Sequence, residues 1–335
     1  MIIPFFIPHS GCPHQCVFCN QKNITGQAGP AGLFSVPRKI SAYLNTGSSN
    51  KPVDIAFYGG SFTALPIETQ KAYLLAVRPF IESGRIKSIR CSTRPDCIDS
   101  AGLTLLHEYQ VDIVELGAQS MEDRVLALSG RGHTSMDTRN AVTLLRERGF
   151  TIGLQLMPGL PGDSPDCFSE TVDQVIALRP DFVRLYPTLV IKGTPLEELY
   201  KAGRYAPLSL DEAVSQCSEA YVKFKRAGIE VVRMGLQPTE ELEKPGTILA
   251  GPFHPAFRQL VESALMLDMM RSALRKRRKK TTTAVFCVSP RDVSAAIGQR
   301  KENIKALKKE FGLREVRIVK DNEICGRGEP VLLDN

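Results

Sequence analysis

The stretch Val53-Asp-Ile-Ala-Phe-Tyr58-Gly59-Gly60-Ser61 decides the fold. A short β-rich run meets a glycine pair, and an amphipathic pattern over 68–80 then reads as a helix. The same unit recurs on both sides of it. Further β-rich runs lie at 2–7, 86–92, 113–116, 151–157 and 182–186, separated by helical patterns that include 101–109, 138–148 and 167–178. Short strands alternating with helices build a parallel sheet, because two parallel strands need a crossover between them. Polar residues and glycines gather just after the runs, at Ser92-Thr93-Arg94, Gln119-Ser120 and Pro158-Gly159 as well as at Gly59. In a parallel barrel such positions share one rim, where ligands bind. An open doubly wound sheet also binds at its strand ends, but six units favour an α/β fold of the partial (β/α)6 TIM-like barrel kind over residues 1–245. One more run, 230–234, follows a helical stretch at 210–226.

Composition narrows the class. The chain has 335 residues, 43% hydrophobic and 24% charged, which suits a globular protein with a sizeable core. Whole-chain disorder and a small disulfide scaffold are excluded. No apolar run nears the roughly 18 residues of a membrane span, and the opening Met1-Ile-Ile-Pro-Phe-Phe-Ile-Pro8 has no basic leader. The reading is therefore a cytoplasmic protein with no membrane partner. The formal charge of +7 is unevenly placed: residues 271–335 carry 17 Lys+Arg against 8 Asp+Glu, and residues 1–270 carry 26 against 28. That pattern fits a segment that meets a polyanion, with an ordinary solvated basic face as the alternative.

Of nine cysteines, six show no spacing pattern and read as buried or unreactive thiols. The other three crowd into Cys12-Pro-His-Gln-Cys16-Val-Phe-Cys19, in the loop after the first strand. A structural zinc site wants four protein ligands, which His9 or His14 would have to complete. An iron–sulfur cube usually takes four thiolates, so three would leave one iron open for another ligand.

With this C-x3-C-x2-C loop after strand one, the chain resembles the radical SAM enzymes. The resemblance implies a [4Fe-4S] cluster on Cys12, Cys16 and Cys19, with S-adenosylmethionine on the open iron. Reductive cleavage would then release a 5′-deoxyadenosyl radical. It also implies cofactor contacts from Gly59, Gly60 and Ser61 to the methionine end and from Phe18 to adenine. Gln119 would meet ribose, and Gln155 in Gly153-Leu-Gln-Leu-Met-Pro-Gly-Leu-Pro161 would lie near the adenine. Ser92 stands where many relatives carry a Glu. His133 and Tyr186 are the candidate catalytic residues near the rim, for proton shuttling and for relaying or quenching a radical. A low-potential electron donor such as a flavodoxin or ferredoxin is the implied partner.

Several stretches are similar to the radical SAM core of the Elongator catalytic subunit. They are Tyr58-Gly-Gly-Ser-Phe-Thr-Ala-Leu-Pro66, Thr93-Arg-Pro-Asp96, Arg131-Gly-His-Thr134, Arg184-Leu-Tyr-Pro-Thr-Leu-Val-Ile-Lys-Gly193 and Val232-Arg-Met-Gly-Leu-Gln237. Those enzymes modify the wobble uridine of tRNA. They space their first two cysteines more widely, and the stretch after Ala250 reads as too short for their acetyltransferase domain.

The C-terminal part reads differently. A linker helix and basic run occupy 246–280, ending in Arg275, Lys276, Arg277, Arg278, Lys279 and Lys280 with no acidic residue among them. Beyond it, a β-α-α-β pattern over 281–325 resembles a small α+β KH-like domain. Its loop Gly298-Gln299-Arg300-Lys301 stands where such domains clamp single-stranded RNA, with Lys301 in place of the second glycine. The reading that follows is a radical SAM enzyme acting on RNA, with tRNA in first place. Radical oxidation of a small molecule such as a porphyrinogen is one alternative. A non-catalytic RNA-binding protein with a structural metal is the other.

Overall fold

The computed structural model describes residues 2–7, 9–25, 29, 31–46, 53–277, 282–321 and 330–333. The chain forms two compact units: residues 1–213 with 220–253, and residues 214–219 with 254–335.

In the first unit the β-rich runs become strands β1 (Ile2–Phe6), β2 (Asp54–Tyr58), β3 (Ser88–Thr93), β4 (Val111–Gln119), β5 (Thr151–Leu156) and β6 (Phe182–Leu185). They lie side by side in that order. The run at 230–234 is not an appendage to them. After the two-residue strand β7 (Val190–Ile191) it forms β8 (Glu230–Met234), which pairs in parallel with β6 and brings the sheet to seven strands. Every pairing in this sheet is parallel, and the strands curl into the half-barrel that six units led us to expect. β7 instead pairs antiparallel with β9 (Ile248–Ala250).

Alternation along the strands sorts the two faces. Ile3, Phe5, Ile55, Phe57, Ile89, Cys91, Leu154 and Val183 are buried and form the apolar layer. The Phe57 ring stands 5.0 Å from Phe62 and 5.5 Å from Tyr73, which ties β2 to helix Ile67–Glu82. Polar caps start the helices that return from the rim. Thr134 and Asp137 form a capping box on Ser135–Glu147, and Ser164 caps Pro165–Leu178 with proline in the first turn.

The second unit has the β-α-α-β order read from the sequence. β10 (Thr283–Val288) leads to helices Val293–Ile297 and Glu302–Phe311 and then to β11 (Glu315–Lys320), parallel to β10. A further strand, β12 (Val331–Leu333), pairs antiparallel with β10 on its other side. Helix Phe257–Lys276 gives Met266, Met270 and Leu274 to a core shared with Phe286, Ala296 and Leu307.

Candidate functional site

The cysteine loop is held by backbone bonds from several neighbours. Ile7 N–H donates to Tyr58 O at 2.8 Å, which carries the β1–β2 pairing beyond the strand. Ser61 N–H then donates to Ser10 O at 3.0 Å, so the glycine turn after β2 lies directly under the loop. Gly60 makes that approach possible, since a Cβ there would lie 2.4 Å from Ser10 O and 2.5 Å from Ile7 O. On the far side Val17 N–H donates to Ser129 O at 3.0 Å, and Val17 O accepts from Leu196 N–H at 2.8 Å. Cys12 Sγ lies 3.7 Å from Ser61 Oγ.

Thiolates at Cys12 and Cys16 disfavour a third at Cys19. Burial first, then Cys16 and Cys12, push the Cys19 thiol up to about 12, while Arg131 pulls it down. Positive charge is what the loop needs, and part of it is built in: Arg131 Nη1 donates to Cys16 Sγ at 3.1 Å. Soft thiolate donors with a cation at one of them suit an iron–sulfur centre. Among the described residues no three His, Cys, Asp or Glu side chains are grouped as ligands of a single metal ion. His9, a possible fourth zinc ligand, is engaged with Gln21, whose backbone N–H donates to His9 Nε2 at 3.1 Å.

The other candidate residues reach the same rim in different ways. Phe18 and Tyr186, far apart in sequence, pack against one apolar cluster of Val125, Met157 and Leu160. Gln155 Nε2 donates to Gln119 Oε1 at 3.1 Å, and Gln119 holds a left-handed backbone with φ 67°. That conformation costs energy for a residue with a Cβ and marks the end of β4 as over-determined by its surroundings. Ser92 is half-buried on β3, in register with Glu115. His133 is only 4% exposed, with its ring against the backbone of Ala118. Burial first and Arg131 next lower its pKa to about 4, so the ring is neutral at pH 7.

Sequence reasoning missed a buried charge network strung across the sheet. Glu115, 5% exposed, accepts from Tyr58 Oη at 3.0 Å, Arg90 Nη1 at 3.2 Å and Arg184 Nη2 at 3.0 Å. Arg184 also donates to Tyr58 Oη at 2.9 Å and Tyr186 Oη at 3.3 Å, while Arg90 reaches Asp54 at 3.3 Å. The signal was present in the sequence, as charges inside runs that otherwise read as fully buried strands.

In the second unit the first residue of the basic run has an acidic partner on another helix. Arg275 donates to Glu310 at 2.8 Å, and Arg271 shares that carboxylate at 2.8 Å. The partner was invisible in sequence because Glu310 arrives on a different helix. Lys276 and Arg277 end helix Phe257–Lys276, and Arg278, Lys279 and Lys280 lie outside the described residues. In the loop, Gly298 leaves room for Asn303, and Gln299 Nε2 donates to Gln259 Oε1 at 2.8 Å. Arg300 and Lys301 are exposed, with left-handed φ of 49° and 61°.

Comparison with known proteins decides the family. The model described as the Radical SAM superfamily matches residues 6–175, half the chain, and that of the Radical_SAM C-terminal domain matches 180–266. The chain belongs to the radical SAM superfamily. It is a radical SAM enzyme, and its similarity runs to Elongator-type proteins. A tRNA uridine(34) acetyltransferase of Methanocaldococcus infernus is 29% identical over 250 residues, covering 62% of this chain and 47% of that protein. Elongator complex protein 3 of Homo sapiens is 28% identical, covering 62% of this chain and 46% of that protein. The chain thus spans about half the length of the curated relatives it matches. The solved structure of archaeal Methanocaldococcus infernus Elp3 with an N-terminal deletion shares the fold. It superposes with a TM-score of 0.63 at 24% identity, covering 82% of this chain and 64% of that one. Among the described residues no helix is long and apolar enough to cross a membrane.

Proposed function

We propose that this chain holds a [4Fe-4S] cluster on Cys12, Cys16 and Cys19, binds S-adenosylmethionine against it, and modifies RNA, with tRNA as the substrate. The reading is carried by three thiols pinned at the mouth of a half-barrel with a buried guanidinium on one of them. When bound, the cluster and S-adenosylmethionine supply one-electron cleavage of the sulfonium S–C5′ bond and a 5′-deoxyadenosyl radical.

The protein's part is binding and orientation. Gly59, Gly60 and Ser61 offer backbone to the methionine end, Phe18 an aromatic face to adenine, and Gln119 and Gln155 a hydrogen-bonding pair to the nucleoside. Ser92, on the strand that also carries Arg90, completes the polar wall. Tyr186 is the candidate radical relay, because its hydroxyl is already bonded to Arg184. His133, buried and neutral beside Arg131, is the candidate for holding or passing a proton. The electron would come from a low-potential donor such as a flavodoxin or ferredoxin. Relatives named for tRNA uridine(34) support tRNA as the substrate class. Exposed Arg300 and Lys301, with the basic run from Arg275, supply phosphate contacts whose strength falls with salt.

Anaerobic reconstitution should give about four irons per chain, and Cys16→Ala should abolish them. Dithionite and S-adenosylmethionine should then yield 5′-deoxyadenosine, and tRNA from cells lacking the protein should miss one modified nucleoside. Failure of a fully loaded, reduced enzyme to form 5′-deoxyadenosine would overturn the chemistry. An unchanged nucleoside profile would overturn the substrate.

A further inference from the structure

The mouth of the barrel contains a cation whose placement the cysteine motif does not explain. Arg131 is 5% exposed, and its two terminal nitrogens are divided between Cys16 Sγ at 3.1 Å and Gly117 O at 2.6 Å. Among the described residues its side-chain partners are a thiol and a carbonyl, and no carboxylate pairs with it. The backbone around it is equally tied. Arg131 O accepts from Arg94, and Arg94 is itself clamped by Asp96 at 3.0 and 2.9 Å. Gly132, at φ +70°, lets the chain turn flat against the cysteine loop, since a Cβ there would lie 2.3 Å from the His14 ring. An unbroken chain of contacts therefore runs from Asp96 through Arg94 and the backbone of Arg131 to Cys16.

A buried guanidinium without a carboxylate is expensive unless negative charge reaches it by another route. Thiolate ligands supply that charge, and each electron added to a centre bound there increases it. The attraction is then stronger in the reduced state than in the oxidised one, by the local dielectric that burial provides. We propose that Arg131 is a positioning residue that fixes the Cys16 ligand and biases the one-electron equilibrium of the iron–sulfur centre toward reduction. The inference rests on the cluster reading above and goes beyond it, by naming the residue that sets the potential.

The test is an EPR-monitored potentiometric titration of anaerobically reconstituted wild type, Arg131→Gln and Arg131→Lys, with iron content and circular dichroism measured alongside. Arg131→Gln should keep its iron while its reduction equilibrium falls about tenfold, a shift of about 59 mV for one electron. Arg131→Lys, which keeps the charge but not the fork to Gly117, should shift less. An unchanged midpoint in fully loaded Arg131→Gln would overturn the inference and leave the cluster reading intact. Loss of iron from both folded variants would confine Arg131 to bracing Cys16 and overturn its assignment as the residue that sets the potential. A wild type that takes up no cluster would overturn both.

Discussion

Substituting Gly60 by alanine tests the physical link between the glycine turn and the cysteine loop. The new methyl group would meet two backbone oxygens, Ser10 O at 2.4 Å and Ile7 O at 2.5 Å. An ordinary contact is about 3.5 Å, so each oxygen must retreat by about 1 Å or the turn must open. Neither oxygen is free to move, because Ser10 O accepts from Ser61 N–H and Ile7 O accepts from Ser10 N–H at 3.0 and 3.1 Å. Overpacking of about 1–3 kcal/mol, with two weakened hydrogen bonds of about 1 kcal/mol each, gives a cost of about 3–5 kcal/mol. For a unit of this size that is a melting temperature lower by about 6–20 °C. Because Ser10 and Cys12 share the loop, iron uptake should fall as well. Gly102→Ala is the matched control. Gly102 lies in helix Ser100–Glu108 with only the capping Asp99 Oδ1 nearby, at 3.3 Å, so alanine should change stability by no more than about 1 kcal/mol in either direction. Thermal melts of the metal-free protein and anaerobic iron titration measure both effects. Wild-type melting and full iron uptake in Gly60→Ala would refute the reasoning.

Two further perturbations address the buried charges. Glu115→Gln leaves Arg184 without its carboxylate and Arg90 with Asp54 alone, so urea denaturation should show a loss of about 3–5 kcal/mol; a loss under about 1 kcal/mol would mean that water reaches the network. His133 binds its proton less readily when folded, at about 4 against 6.5 unfolded, so its contribution is complete above pH 6.5 and is lost as pH falls toward 4. The shift amounts to about 3 kcal/mol, and His133→Leu should remove that limb of the stability profile. Identical acid slopes in wild type and variant would show that the ring is solvated when folded.

Much of this molecule was legible in one dimension. The alternation of β-rich runs with helical periods predicted a parallel sheet, since period and crossover length are local properties of the chain. The cysteine spacing marked the candidate cluster loop, because three thiols within one loop are near one another in sequence without any long-range contact. The run at 230–234 was visible, but its place was not. Only pairing with β6 makes it the seventh strand, and nothing in its five residues encodes that neighbour.

Charge partnership was the part that required three dimensions. Arg90, Glu115 and Arg184 sit on three different strands, and their sequence neighbours say nothing of one another. Arg131 likewise appears in the sequence as one residue of a short motif, and only folding brings it to Cys16. The second unit shows the same division, for Gly298 was readable while the ion pairing of Arg275 with Glu310 was not. By itself the sequence determined which elements form and which loop carries the thiols, because both follow from local geometry. The tertiary structure decided which charges meet, because electrostatic pairing depends on distance through space and on burial, and neither is a property of position along the chain.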